Sequence, residues 1–297
     1  MKPGHPWTGI IWGVSAIAIV TCQTLPEPDP DQEILLEACR VAGLPVEMAA
    51  WDDPDVDWSR FRFAKFHSCW NYYENPAAFL AWMDRASTKT KFWNPTELAW
   101  ANIEKGYLRE LAGVGIPIVP TEFVRRINGF EDQVARIGSD DFVVKPIISA
   151  GSYMTQRFHR GQMEEAKVFA AQILNQRQAM VQPYIESVNH GGEVAVVHID
   201  GELTHCVVKE PRFAGSDESV SVGFPPTPDI AKAAAKVIAT IAEPWLYARV
   251  DLMKSASGEW LLSELELIEP TLFLAQSEVA LTRLVAAMAR HYHALSV

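Results

Sequence analysis

The feature that most constrains this chain is an alternation of short apolar runs with amphipathic segments between residues 15 and 95. "AIAIVTC" (16–22) has no charged residue, and an apolar run of that length fits a strand buried on both faces. A Pro/Asp-rich loop, "LPEPDPDQE", follows, and "DQEILLEACRVAG" then spaces its apolar residues for one face of a helix that ends at Gly43. "LPVEMAAWD" and "FRFAKFHSCW" read as second and third strands. In "NYYENPAAFLAWMDRAS", Pro76 is placed to open a helix at its first turn. Strands separated by helices are joined by crossovers rather than tight turns, so this order predicts a parallel sheet covered by helices.

The first run admits a second reading. From Pro6 to Pro26 no residue is charged, as in a signal peptide or an anchor, and Cys22 is placed like a lipoprotein cysteine. Against this, Thr21 is larger than the small residue such sites need, and Gly9, Gly13 and Ser15 dilute the hydrophobicity. The strand is the favoured reading, with residues 1–14 an extension that takes no part in the fold. Length and composition agree: 297 residues, 48% hydrophobic and 21% charged, suit two domains or one large one.

After residue 95, "NPTELAWANIEKGYLRELAGVGIPIVPT" predicts a helix over about 101–112, stopped by Gly113 and Gly115, and then a short strand. From about 140 strands dominate: "DFVVKPI", "AMVQPYI", "EVAVVHI", "LTHCVVKE", "LYARVDLM" and "WLLSELELI". Helical patterns interrupt them at 162–177 and 228–243, and a last helix spans 276–294. Asp200-Gly201 between two strands is a hairpin signal.

"WLLSELELIEP" (260–270) carries the sharpest chemical signal. Side chains two apart on a strand share a face, about 7 Å from each other, so Glu264 and Glu266 project together from an otherwise apolar strand. Paired with "YARVDLM" (247–253) as a hairpin, the same face gains Arg249 and Asp251, with Asp251 diagonal to Glu264. Three carboxylates on adjacent strands suit a hard, oxygen-loving cation, and Mg²⁺ (or Mn²⁺) fits best, because Mg²⁺ takes a few carboxylates plus substrate phosphates. The alternative is a solvated strand face laced with salt bridges. Glu269 lies off the alternation, and is expected either to orient the following loop or to touch substrate.

Upstream, "FVVKPIISAGSYMT" (142–155) delivers Lys145 at a strand end and follows it with Ser149, Gly151 and Ser152, a small-residue loop able to hold a phosphate through charge and backbone N–H groups. The order of residues is not that of a P-loop. Lys105, Glu193 and Lys209 (with Arg212 close behind) complete a series whose order, more than any member, carries the signal.

That series resembles the ATP-grasp superfamily, at the level of motifs, over residues 95–290. The resemblance implies an α/β fold, α+β in its C-terminal half. A Rossmann-like pre-ATP-grasp domain would span 15–98 and an ATP-grasp domain 99–297. Within the latter, an ATP-binding lid would cover about 120–185 and a catalytic subdomain about 186–297. It implies Lys105, Lys145, Ser149, Gly151, Ser152 and Lys209 at the phosphates and Gln182, Pro183, Tyr184 and Ile185 at the adenine. Glu193 would approach the ribose, and Asp251, Glu264 and Glu266 would be Mg²⁺ ligands. Arg249, Lys145 and Lys209 would be the catalytic cations, Arg249 steadying the oxyanion. A group of small bacterial ATP-grasp ligases, which includes the D-cycloserine ring-forming ligase, is similar more closely, through "SCWNYYENPAAFLAW" and "ELELIEPTLFL" among others. Where that group carries Arg-Ser-x-Trp-Asp-Tyr, this chain has His67-Ser68-Cys69-Trp70-Asn71-Tyr72. If that segment lines the substrate pocket, with His67, Trp70, Asn71, Tyr72, Arg212 and Glu269 as contacts, the substrate differs from the group's usual one.

The implied activity is ADP-forming carboxylate–amine ligation through an acyl phosphate, intramolecular or intermolecular, on a small amino acid or derivative. A phosphotransferase on the same fold and an inactive nucleotide-binding module are the alternatives. A homodimer is common in the superfamily. The net charge of −11 argues against nucleic acid and anionic membrane as partners. Four scattered cysteines, outside any zinc spacing, fit a reducing cytoplasm. The eight histidines form no H-x-x-x-H pair, so neither zinc nor iron is expected.

Overall fold

The computed structural model describes residues 16–210 and 219–294, so the 1–14 extension and Arg212 lie outside the described residues. The first third runs β1 (Ala16–Thr21), α1 (Gln32–Val41), β2 (Val46–Ala50), β3 (Phe61–Ser68), α2 (Pro76–Ser87) and β4 (Lys91–Trp93). Its four strands form a parallel sheet in the order β2-β1-β3-β4. The apolar run at 16–21 is an interior strand of this sheet, between β2 and β3, as the strand reading expects. Pro76 opens α2, and the Asn75 side chain accepts a hydrogen bond from the Ala78 N–H at 3.1 Å. Trp51, Trp58, Phe66, Phe79, Trp82 and Phe92 pack ring on ring on one side of the sheet.

The expected helix over 101–112 is two helices, α3 (Thr96–Asn102) and α4 (Tyr107–Gly113). Lys105 therefore sits in the break and does not begin a helix. Its backbone N–H donates to the Ile147 carbonyl at 2.9 Å, a tertiary bond that replaces a helical one. Where a strand was expected at 116–120, the chain makes a bridge from Ile118 to Leu262, and β5 (Glu122–Val124) follows.

The middle of the chain adds α5 (Phe130–Arg136), β6 (Asp141–Pro146), β7 (Gln156–His159), α6 (Met163–Leu174) and β8 (Ala179–Pro183). These strands form an antiparallel sheet, β5-β8-β6-β7. With α5 and α6 it encloses its own core around Phe130, Phe142, Phe158 and Val181. The last part contains α7 (Val188–Gly191), β9 (Glu193–Ile199), β10 (Glu202–Lys209), α8 (Pro228–Ile238), β11 (Tyr247–Lys254), β12 (Trp260–Glu266) and α9 (Glu278–Ala294). Its antiparallel sheet, β10-β9-β11-β12, has α8 against one face. The other face shares a core with α9, α1 and the first sheet. Asp200 and Gly201 turn β9 into β10 with φ of 51° and 80°, as a two-residue hairpin of this hand requires. Among the described residues no helix is long and apolar enough to cross a membrane.

Candidate active site

A cavity of about 260 Å³ lies between the second and third sheets and reaches the end of the first. Its floor is the β11–β12 hairpin. Arg249 faces Glu266 and Asp251 faces Glu264, so the expected diagonal is a direct opposition, two residues along in register. A bulge between Asp251 and Leu252 then shifts the rest of the pairing.

Each acid on this floor meets a cation. Glu264 lies 2.9 Å from Lys145 Nζ and 3.7 Å from Lys105 Nζ. Lys145 comes from the end of β6, across the cavity, and Lys105 from the break before α4. Lys105 Nζ also donates to the Ser149 carbonyl at 2.9 Å, tying the helix break to the loop after β6. Burial works against ionising Glu264, but Lys105 and Lys145 outweigh it and hold the carboxyl well below the usual range. Asp251 receives Arg249 Nε at 2.9 Å and Lys209 Nζ at 2.6 Å, and Lys209 also pairs with Glu193 at 2.9 Å. Arg249 Nη2 donates to Glu266 as well. Burial, with Asp251 and Glu264 nearby, pushes the Glu266 carboxyl up to about 8 despite Arg249.

The rest of the expected nucleotide set lines the same cavity. Ser149, Gly151 and Ser152 form its wall, and Gly151 and Ser152 hold φ of 55° and 59°, a tight left-handed curl. Gln182, Pro183, Tyr184 and Ile185 lie where β8 leaves the second sheet, and Gln182 Nε2 donates to Thr121 Oγ1 at 2.9 Å. Glu193 and Lys209 face each other across β9 and β10. Gly192, just before Glu193, has φ of 66°, and a Cβ there would lie 2.2 Å from Val208 Cγ1 and 2.5 Å from the Lys209 carbonyl oxygen. Only glycine lets β9 begin close enough to β10 for that pair to form.

Asp251 lies deeper than the other two expected ligands. It is 1% exposed beneath Arg249 and Lys209 and does not line the cavity, whereas Glu264 and Glu266 do. Among the described residues no three metal-ligating side chains form a ready-made cage. The two glutamates still fit Mg²⁺, which is commonly held by one or two carboxylates with substrate phosphates completing the shell.

The expected substrate contacts divide. Trp70, Tyr72 and Glu269 line the cavity. His67 and Asn71 do not: His67 Nε2 pairs with Asp29 at 2.9 Å inside the first sheet's core, and Asn71 bonds Trp51 and Asp52 on the far side. His67 lies within β3 and residues 70–74 form a short 3₁₀ turn, so a linear reading of "HSCWNY" cannot assign the side each residue faces. Sequence reasoning missed Asn102, Tyr107 and Thr271. Asn102 accepts from the Leu267 N–H at 2.9 Å, Tyr107 Oη accepts from the Leu265 N–H at 3.0 Å, and the Thr271 carbonyl accepts from Arg249 Nη1 at 3.1 Å. All three fix the end of β12 or the arginine through backbone groups, which leave no mark on residue type. Proximity of Asn102 and Tyr107 to Lys105 was the only available signal.

The chain is similar to known proteins over nearly its whole length. The family model for the N-terminal domain of D-cycloserine synthetase DcsG matches residues 17–94. The cycloserine biosynthesis protein DcsG of Streptomyces lavendulae is 35% identical over 291 residues, covering 92% of this chain and 97% of that protein. The crystal structure of D-cycloserine synthetase DcsG superposes with a TM-score of 0.85 at 33% identity, over 93% of this chain and 99% of that one. At the level of fold alone, the D-alanyl-alanine synthetase A of Vibrio cholerae O1 biovar eltor gives a TM-score of 0.67 at 12% identity, over 94% and 98% of the two chains.

Proposed function

The chain belongs to the family of ATP-grasp ligases that includes D-cycloserine synthetase, and from that premise we propose that it activates the carboxylate of a small amino acid or derivative as an acyl phosphate and joins it to an amine. It is an ATP-dependent, ADP-forming carbon–nitrogen ligase. The observation that carries the proposal is the convergence of Lys105, Lys145, Lys209 and Arg249 with Glu264 and Glu266 in one cavity between two antiparallel sheets.

In this reading Lys145 and Lys105 exchange part of their pairing with Glu264 for nucleotide phosphate, and Ser149, Gly151 and Ser152 wrap the phosphates. Gln182 to Ile185 and Glu193 receive the adenosine. Glu264 and Glu266 would hold Mg²⁺, with Asp251 beneath them setting the position of Arg249 and Lys209. Bound there, Mg²⁺ supplies charge neutralisation at the β- and γ-phosphates. Arg249, pinned by Asp251, Glu266 and Thr271, offers a preorganised guanidinium to the oxyanion that forms when the amine attacks. The C–N bond forms as the amine adds, and the intermediate then expels phosphate with the electrons of the C–O bond while the amine's proton passes to solvent. No enzyme nucleophile is required, so catalysis rests on positioning and charge. The similarity to D-cycloserine synthetase favours ring closure within one substrate.

The test is ADP and phosphate release with Mg²⁺-ATP against amino acids, dipeptides, plain carboxylic acids and O-ureidoserine, with products identified by mass. Substrate-dependent release of both, with a dehydrated adduct, is expected. A stable phosphorylated acceptor without phosphate release would make the protein a kinase, and nucleotide binding without turnover would make it a binding module.

A further inference from the structure

The segment after β12 holds a backbone outlier. Phe273 has φ of 50° and ψ of 47°, the left-handed region, which a bulky residue enters only when its surroundings impose it. Its side chain is 2% exposed, in the core that joins the first and third sheets.

The imposing group is Asp31, 241 positions before Leu272 and just ahead of α1. One of its carboxylate oxygens accepts from the Leu272 N–H and the other from the Leu274 N–H, at 2.7 Å each. N–H groups on either side of a left-handed residue converge into a concavity that suits an anion. The far side of the turn is held as well. The Gln276 N–H donates to the Phe273 carbonyl at 3.0 Å, and Gly223 comes so close that a Cβ there would lie 2.2 Å from the Gln276 carbonyl oxygen.

The sign of φ at 273 decides which way the side chain leaves the backbone, and here the ring lies over Arg249, its centroid 5.6 Å from the guanidinium carbon. Arg249 hydrogen-bonds Asp251, Glu266 and the Thr271 carbonyl. Those bonds set where the guanidinium points. A ring over its face sets its tilt and shields that face from water, which strengthens the charge it presents.

We propose that Phe273 is a positioning residue for the ligation step: clamped by Asp31, it holds the Arg249 guanidinium at the tilt in which it meets the oxyanion. This rests on the ligase reading. Packing alone would be met by an apolar residue in a relaxed backbone, whereas the left-handed backbone is explained by where it puts the ring.

The experiment measures kcat and KM for ATP with the panel compound that gives the highest turnover. Phe273→Leu should lower kcat roughly tenfold with KM for ATP unchanged, the scale of a cation–π contact away from bulk water. Phe273→Tyr, which keeps the ring, should recover most of that loss. Made on an Arg249→Lys background, Phe273→Leu should alter kcat by less than about twofold, because a residue that acts through the guanidinium has nothing left to act on. Asp31→Asn, whose amide accepts from one N–H and not both, should lower kcat with KM for ATP unchanged. Adding Phe273→Leu to it should lower kcat no further than Phe273→Leu alone. Equal losses on the Arg249 and Arg249→Lys backgrounds would mark Phe273 as core packing and overturn the proposal. A wild-type kcat in Phe273→Leu would also overturn it, as would a loss in Phe273→Tyr as large as in Phe273→Leu. If Arg249→Lys is too slow to assay, the Asp31→Asn pair decides, and additive losses overturn the proposal. In each of these cases wild type still releases ADP and phosphate, and the ligase reading stands. Wild type silent with every compound, or releasing ADP without phosphate, would instead bring down the ligase reading, and the proposal with it.

Discussion

At the scale of single residues, the site is a set of ion pairs awaiting exchange. Lys145 and Lys105 neutralise Glu264, so the pocket is stable without ligand, yet each pair is open enough to be traded: the Glu264 side chain is 21% exposed. Glu264→Gln keeps the shape and removes the charge that the proposal gives to Mg²⁺. Turnover should fall at least about 100-fold, in line with losing a metal ligand or its close support. Stability should drop by only about 1–2 kcal/mol, because the amide oxygen still accepts from Lys145. Full activity in steady-state assays would remove Glu264 from the metal site. The acids and bases of this site were legible in the sequence, because charged residues on apolar strands demand an explanation. The sidedness of His67 and Asn71 was not legible, because His67 belongs to a strand buried on both faces and Asn71 to a tight turn that can present either edge.

At the scale of elements, the β11–β12 hairpin works because other elements fasten its ends. Asn94, in the loop after β4, donates to the Tyr247 and Leu267 carbonyls at 2.8 and 2.7 Å and accepts from the Leu246 N–H at 2.7 Å. One buried amide thus ties the first sheet to both strands of the β11–β12 hairpin. Asn94→Ala would leave three buried backbone groups unpaired, and should cost on the order of 3–4 kcal/mol. Urea unfolding measures this, and a loss below about 1 kcal/mol would show that water replaces the amide. Asp31 does similar work from just before α1, accepting from the Leu272 and Leu274 N–H groups at 2.7 Å each. Such stitches join residues more than 150 positions apart, beyond the reach of any local pattern. The split between α3 and α4 has the same origin: the segment is helical by composition, and a bond to Ile147 breaks it.

At the scale of the whole molecule, the first and third sheets share a core through α1 and α9, whereas the second sheet packs on α5 and α6 as a separate cluster. Regions with their own small core open at lower free energy than the shared one. Native-state hydrogen exchange should therefore find β6 and β8 amides opening below the global unfolding free energy and β1 and β11 amides opening only with it. Saturating Mg²⁺-ATP should slow the β6 and β8 amides most, since the ligand would bridge this sheet to the hairpin. Uniform exchange across all three sheets would contradict a separately opening lid.

The sequence by itself determined the elements and the chemistry. Periods of 2 and 3.6, a proline at a helix start, Asp-Gly at a hairpin and carboxylates on an apolar strand are local signals, each set by the sterics and solvation of neighbouring residues. Only the tertiary structure decided the register that sets Asp251 opposite Glu264, the break that frees Lys105 and the burial of Asp251 beneath its cations. Those outcomes depend on which backbone groups and charges meet across long stretches of chain, and a buried group takes its energy from its neighbours in space.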